Sequence, residues 1–310
     1  MRIRKYRAFS PGGISGFFQI CDTKPDGSPI KDPERIGARG GGFGTADGVT
    51  TETTASPSGE NKIDVYINCE RRQARTTETM VELLLRTTEE NYDVEVRHTV
   101  VPPVGAGFGT SAAGAYSCGL ALSRALGLNL TQNQIARMAH VADVTCSTGL
   151  GTVEGLTVGG LVLIVKSGAV GIGEVDRIPI GPNLRIVAGA FEPMDKSSII
   201  LSSKWKKKVN KLGVKTMNRI LREPTLPNFI DSCKKFAFRL GLMSDRLEQL
   251  ILEAEEAGAI GATQNMLGEA VHAVVTEESA NAVYDLFKKY LPRDRIINSE
   301  IDFEGGRLLG

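Results

Sequence analysis

The chain reads as an α+β protein of two domains, and three observations predict this. Strand-like and helical periods alternate along all 310 residues. A strand-like run from Val94 to Val101 feeds a glycine-rich stretch that opens straight into a helix. Gly181-Pro182 then separates two halves that each carry their own strands and helices, so domains are expected at residues 1–181 and 182–310. With 41% hydrophobic residues the chain can bury a full core.

The first half opens on a short strand, Lys5 to Phe9, followed by a glycine-rich turn from Ser10 to Phe18. Gly37 to Gly44 reads as a flexible loop; it is either functional or plain surface. Strands are expected near Val49–Thr54 and Ile63–Asn68, then an amphipathic helix over 72–90 with Met80, Leu83, Leu84 and Leu85 inward. After the strand at Val94–Val101 and the helix Ala112–Leu126, Thr131 N-caps a second helix through Ile135, Met138 and Val141. Gly149 to Gly151 breaks the pattern, and Gly159 to Val165 looks like a buried strand. The second half predicts a strand at Leu184–Ala190, helices at about 196–222, 226–241 and 244–257, a strand near His272–Val275, a helix at 277–291 and a last strand near Arg295–Ile301. The final Gly305–Gly310 carries no assignable chemistry.

Charge excludes several function classes. Lys and Arg (37) nearly balance Asp and Glu (36), so no global field recruits nucleic acid or an anionic membrane. One local cluster, Lys204 and Lys206–Lys208 with Lys211 and Lys215, faces either an anionic ligand or only solvent. Five cysteines lie scattered without C-x-x-C spacing, which points to reduced thiols and away from zinc. No run of 18 apolar residues is present, and Ser10-Pro11-Gly12-Gly13 interrupts any signal-like segment, so a soluble cytoplasmic protein is expected.

Gly105, Gly107 and Gly109 are the most informative residues. Alternating glycines let backbone N–H groups surround an anion, and a helix opening at Thr110 and Ser111 turns its positive end to the same point. The alternative is a flexible loop with an ordinary Thr or Ser cap. Gly109-Thr110-Ser111 lacks the lysine of a Walker A loop, and the glycines do not follow a first strand as a dinucleotide fingerprint requires.

The stretch Pro103, Gly105, Ala106, Gly107, Phe108, Gly109, Thr110, Ser111, Ala112 resembles the Pro-x-x-x-Gly-Leu-Gly-Ser-Ser-Ala-Ala signature of the GHMP small-molecule kinases, with Phe for Leu and Thr for the first Ser. Ala8–Phe18, Gly37–Gly42, Ala139–Asp143, Thr148–Gly151 and Gly171–Gly173 extend the resemblance to the archaeal pantoate kinase branch. The resemblance implies a ribosomal-protein-S5-like N-terminal domain that binds ATP and a ferredoxin-like C-terminal domain. It also implies Mg²⁺ and a small hydroxy acid as acceptor, with a homodimer admitted by no particular residue. Backbone amides from Gly105 to Ser111 would hold the phosphates, and Ser111 with Asp143 would hold Mg²⁺. The other reading of Asp143 is a helix-end surface acid, and His140 reads as a packed or capping side chain. Gly13, Ser15, Arg39, Gly40 and Gly149 fall on the acceptor side by the same resemblance.

Three departures also fall there. Gly149-Leu150-Gly151-Thr152 stands where the family has Gly-Leu-Gly-Asp, and Thr does not ionise usefully near neutral pH. Glu154, expected to share a strand face with Thr152, either replaces the lost carboxylate or is an exposed acid. Pro11-Gly12-Gly13-Ile14-Ser15 lacks the family's His, leaving Ser15 as a further catalytic candidate, and an Arg on the strand after Gly159-Gly160 is absent. An unchanged donor site with a changed acceptor site is similar to the mevalonate-3-phosphate 5-kinases, so mevalonate 3-phosphate is the expected acceptor, with Arg39 and the 204–208 lysines meeting its extra charge. Pantoate is the alternative acceptor, and a catalytically silent nucleotide-binding protein the alternative of another class.

Overall fold

The computed structural model describes residues 4–191, 203–265 and 268–310. An eight-stranded sheet contains β1 (Arg4–Cys21), β2 (Gly37–Ser58), β3 (Lys62–Ile67), β4 (Glu70–Arg71), β5 (Asn91–Val100), β6 (Leu161–Lys166), β7 (Glu174–Ile178) and β12 (Arg307–Leu309). Its order is β12-β1-β2-β5-β3-β4, with β6 joining β2 and β7 joining β6; β3 and β5 run parallel and the other pairs antiparallel. The second sheet, β11-β8-β10-β9, is antiparallel and uses β8 (Leu184–Ala190), β9 (Gly261–Gln264), β10 (Ala270–Thr276) and β11 (Ile296–Glu300). The helices are α1 (Arg75–Leu85), α2 (Thr110–Leu126), α3 (Gln132–Thr145), α4 (Thr152–Leu156), α5 (Ser203–Arg222), α6 (Leu226–Leu240), α7 (Asp245–Glu256) and α8 (Glu277–Tyr290).

Both early glycine stretches, expected as a turn and a loop, are strand. Residues 10–18 and 37–44 pair with each other inside β1 and β2, with register shifts between Ser10 and Gly12 and between Ser15 and Phe17. Glycine is required by closeness: a Cβ on Gly42 would stand 1.8 Å from the Ile14 carbonyl oxygen, and one on Gly40 2.5 Å from that of Phe17. The sheet then forks, because one edge of β2 pairs β6 through Gly40–Phe43 and β5 through Val49–Ser58.

Helix α1 is shorter than the expected 72–90. Thr87 and Thr88 donate side-chain hydroxyls to the carbonyls of Leu84 and Leu85 at 2.7 and 2.8 Å, which satisfies the last turn and ends the helix. Helix α3 has the expected Thr131 cap, completed into a capping box by Gln134. Strands β4, β7, β9 and β12 were not expected; the last places residues 307–309 on the edge of β1. The part of the expected 196–222 helix before residue 203 lies outside the described residues.

Three clusters form the core. Helices α1, α2 and α3 pack Met80, Leu84, Tyr116, Leu122 and Ile135 against Val94 and Val96 of the first sheet. A second cluster lies between the halves: Phe17 meets Phe229 and Phe236, and Phe43 meets Phe229, all edge to face at 5.7–6.3 Å. Each such contact adds roughly 0.5–1.5 kcal/mol beyond its buried area. Alternation along β10 sends Ala270 and Val274 to this cluster, and Val271, Ala273 and Val275 to the third, under α7 and α8. Helix α5 seats on β1, where Asn210 bonds both the N–H and the carbonyl of Ile20 at 2.8 and 3.0 Å.

The basic cluster is partly consumed by this packing. Lys206 pairs with Asp22, and Lys208 donates to the Leu240 carbonyl at 2.8 Å while lying over the Trp205 ring. The five cysteines are all unpaired. Among the described residues no helix is long and apolar enough to cross a membrane.

Candidate active site

A cavity of about 210 Å³ opens between the β1–β2 hairpin, the 105–109 loop and the turn from Thr148 to Thr152. Gly13, Ser15, Arg39, Gly40, Gly149 and Thr152 line it, as do Gly107 and Gly109, so the topology brings the residues expected on the acceptor side and two loop glycines around one cavity.

The loop is left-handed at all three alternating glycines, φ being 77° at Gly105, 87° at Gly107 and 64° at Gly109. A Cβ on Gly105 would meet nothing within 4 Å, so the backbone there faces open space. Its neighbours hold it down: Ala106 and Phe108 are buried in the core between the halves, and the Phe108 carbonyl accepts from Gly13 N–H at 2.9 Å. The Phe that replaces the family's Leu is therefore an anchor. Gly109 caps α2, and Ala112 is buried beneath its first turn, whereas Ser111 is exposed. The free N–H groups of that turn leave it positive. Pro103 and Thr110 are half-buried flanks of the loop.

Gly268, beyond β9, also reaches this loop. A Cβ on Gly268 would lie 3.8 Å from the Ala106 carbonyl oxygen. Sequence reading missed this contact; the clustered Gly261 and Gly268 around Asn265 were its signal.

Asp143 is not a surface acid. It is buried on α3, and its Oδ1 accepts the Thr148 hydroxyl at 2.7 Å, which in turn meets the Thr76 hydroxyl at 2.9 Å. Its Oδ2 is buried with no partner among the described residues and faces Gly149, where a Cβ would come within 2.0 Å. Burial raises its pKa to about 6, with the Thr148 hydrogen bond opposing.

Glu154 is misplaced in the sequence reading. Residues 152–156 form a short helix rather than a strand, so Thr152 and Glu154 do not share a face. Thr152 turns to the cavity, its methyl close to Gly13 and Gly109, while Glu154 is buried behind the wall with His140 Nδ1 at 2.5 Å from its Oε1. His140 Nε2 donates to the carbonyls of Ile36 at 2.9 Å and Pro33 at 3.2 Å. Burial pulls the His140 pKa down, but the bond to Glu154, its charge and the two carbonyls outweigh this and leave it raised.

Arg39 is on a strand rather than in a loop. Its Nε donates to the Val165 carbonyl at 2.8 Å and its Nη1 to Gln19 Oε1 at 3.2 Å, which fixes the guanidinium against β6 at the cavity's edge.

The description "GHMP kinases N terminal domain" matches residues 75–154, the segment that contains the glycine loop, Asp143 and Thr152. The whole fold is shared as well: the solved structure of a "Phosphotransferase related to CoA biosynthesis pathway" superposes with a TM-score of 0.85 over 98% of both chains at 26% identity. Residues 75–154 are thus identified as a GHMP kinase N-terminal domain. Among relatives of this kinase, the pantoate kinase of Methanocaldococcus jannaschii is 28% identical over 90% of this chain and 96% of its own. That of Thermococcus kodakarensis is 29% identical over 94% and 97%. The mevalonate kinase of Pyrococcus furiosus is 25% identical over 58% of each chain.

Proposed function

We propose that this kinase transfers the γ-phosphoryl group of ATP to the primary hydroxyl of pantoate, giving 4-phosphopantoate. The observation that carries the choice of acceptor is the charge of the cavity wall. Among the described residues lining it, Arg39 alone is charged; the remainder are glycines, Ala38, three hydroxyls (Ser15, Thr148 and Thr152) and apolar side chains such as Phe17, Phe18, Leu156 and Val162. One guanidinium suits one carboxylate, and an apolar wall suits a branched methyl-bearing body. Mevalonate 3-phosphate would bring a phosphate as well, and Lys206 and Lys208 are engaged elsewhere. Relatives named pantoate kinase that span nearly the full chain support the same choice. The Thr152 substitution favours mevalonate 3-phosphate as the second reading.

The residues present fit Mg·ATP. An open left-handed glycine loop leads into the positive end of α2, and the buried Oδ2 of Asp143 lacks a partner. Amides from Gly105 to Ser111 would hold the phosphates, with Ser111 and Asp143 holding the metal. When bound, Mg·ATP supplies the phosphoryl group and neutralises its oxygens. Arg39 then binds the acceptor carboxylate, Gly13, Gly40 and Gly149 let the acceptor approach the backbone, and Ser15 and Thr152 orient its hydroxyl. Thr152 takes no proton near neutral pH, so positioning carries the chain's share of the rate. An ATP-binding domain over 1–181 and a second domain over 182–310 belong to this proposal, supported by one sheet on each side of that boundary, with β12 returning to the first.

ADP release by the purified protein with ATP and Mg²⁺ against pantoate, mevalonate and mevalonate 3-phosphate tests the reading. Turnover of pantoate is expected. Turnover of mevalonate 3-phosphate alone would move the assignment to the second reading, and no turnover with any acceptor would point to nucleotide binding without catalysis.

A further inference from the structure

Behind the cavity wall two ionisable side chains are sealed from solvent. His140 and Glu154 have 0% and 1% of their side-chain surface exposed, and they face each other at 2.5 Å. Each sits on a different element. His140 is one turn before Asp143 on α3; Glu154 is on α4, two residues after Thr152. The other ring nitrogen of His140 reaches the carbonyls of Pro33 and Ile36, immediately before the strand that carries Arg39. The second oxygen of Glu154 lies against the tight turn: a Cβ on Gly151 would stand 3.1 Å from Oε2 and 3.4 Å from the Ala38 nitrogen. The turn itself, at φ 115° for Gly151, leads directly into Thr152.

Both nitrogens of the ring thus face oxygens, two hydrogen-bonded carbonyls on one side and, at ion-pair distance but out of hydrogen-bond alignment, a carboxylate on the other, which is the arrangement of an imidazolium paired with a carboxylate. Stability does not explain keeping such a pair. Desolvating two charges offsets most of their attraction, and well-packed apolar side chains serve a core equally well. What the pair provides is a fixed geometry among three segments that share no continuous secondary structure.

We infer that Glu154 is a positioning residue, whose buried pair with His140 locks the Thr148–Thr152 turn and the start of β2 to α3 and so sets Thr152 and Arg39 on either side of the acceptor. The inference rests on the acceptor-side reading of the cavity, not on which hydroxy acid fills it. It also explains the placement of Glu154 two residues after Thr152: it replaces no catalytic carboxylate, and instead holds the residue that stands in the carboxylate's place.

Four proteins test it: wild type, Glu154→Ala, Glu154→Gln and Glu154→Asp. Loss of the contact in Glu154→Ala should raise the acceptor KM by about tenfold or more, the scale of one lost buried charged contact, with the ATP KM within about twofold. Amide hydrogen exchange should quicken over residues 36–40 and 149–152 and stay unchanged in α2. Glu154→Gln should return the acceptor KM to within about threefold of wild type, because a neutral imidazole keeps its bonds to the carbonyls through Nε2 and accepts the Gln amide at Nδ1. Where Glu154→Ala does not fold, Glu154→Asp, which withdraws the carboxylate by one methylene, is measured against the same expectations. Acceptor and ATP KM values that rise together, or exchange unaltered in the two segments, would overturn the inference. The exchange measurement needs no acceptor, so failure of pantoate as substrate and failure of the positioning role are read separately.

Discussion

The two sides of the cavity are built by opposite means. The 103–111 loop is held by backbone and apolar contacts: Phe108 and Ala106 are sunk in the core, Gly13 bonds the Phe108 carbonyl, and Gly105 faces open space. The wall opposite is held by buried charge and hydroxyls, with Asp143 on Thr148 and Thr148 on Thr76, His140 on Glu154, and Arg39 on Val165 and Gln19. A loop anchored by apolar neighbours offers the same amides to any nucleotide phosphate, whereas a wall made of directed polar contacts changes when one side chain changes.

Removing the anchor should break the comparison most severely. Phe108→Ala leaves a cavity in a core position that is 1% exposed, and a loss of about 3–5 kcal/mol in chemical denaturation is expected. In the fraction that folds, the ATP KM should rise while the acceptor KM moves little. An unchanged ATP KM would show that the glycine backbone holds its shape without the ring.

On the other wall Asp143→Asn separates activity from stability. The substitution keeps an oxygen for Thr148 and removes the charge at the unpartnered position, so kcat should fall about 10²–10³-fold, as when a group facing transition-state charge is lost. Stability should move the other way. The folded carboxyl has its pKa raised to about 6 by burial, above the unfolded value near 4, so the native state is favoured by the protonated form below about pH 4 and loses that advantage as pH rises through about 6. Above that pH Asp143→Asn should be more stable than wild type, by about 3 kcal/mol at most, and the gap should close on acidification. Denaturation midpoints of both proteins from pH 4 to pH 8 check this, and a pH-independent gap would mean that the Asp143 carboxyl is not the group responsible.

The same contrast decides what could be read from sequence. The glycine loop and its helix were legible because their signal is local: spaced glycines, a strand before them and a small-residue helix after them all lie within residues 94–126. Helices α2, α3, α6 and α8 appeared where their periods and caps place them for the same reason. The glycines of β1 and β2 misled because glycine gives the same local signal in a turn as where two strands press together; only the closeness of Ile14 to Gly42 distinguishes them. Glu154 misled because a five-residue helix has no period to detect, and its partner lies on another element. Gly268 against Ala106 is likewise a contact across more than a hundred residues, which no window of sequence contains.

Arg39→Lys sharpens the comparison from the wall side. The guanidinium is held by two bonds, to a carbonyl and to the Gln19 amide oxygen, and an ammonium cannot make both while facing the cavity. The acceptor KM should rise about tenfold, within the 1–3 kcal/mol range of an unsatisfied charged contact, with the ATP KM unchanged. Steady-state kinetics with each substrate varied in turn measure it, and an equal rise in both would remove Arg39 from the acceptor site.

Thr152→Val should have the smallest effect and is the most discriminating. The methyl of Thr152 fills the space where a Cβ on Gly13 or Gly109 would meet it at 2.9 Å, and valine keeps that methyl. Only the hydroxyl is lost. If it orients the acceptor by one neutral hydrogen bond, kcat should drop roughly fivefold, near 1 kcal/mol, with little change in stability or in the pH profile above pH 7. A drop of several thousandfold would instead mean that the hydroxyl takes part in proton transfer, and the wall would then contain a catalytic group rather than a set of positioning ones. The small outcome keeps the division intact, with a glycine loop held by apolar anchors and a facing wall whose buried polar contacts hold Thr152 and Arg39 at the cavity.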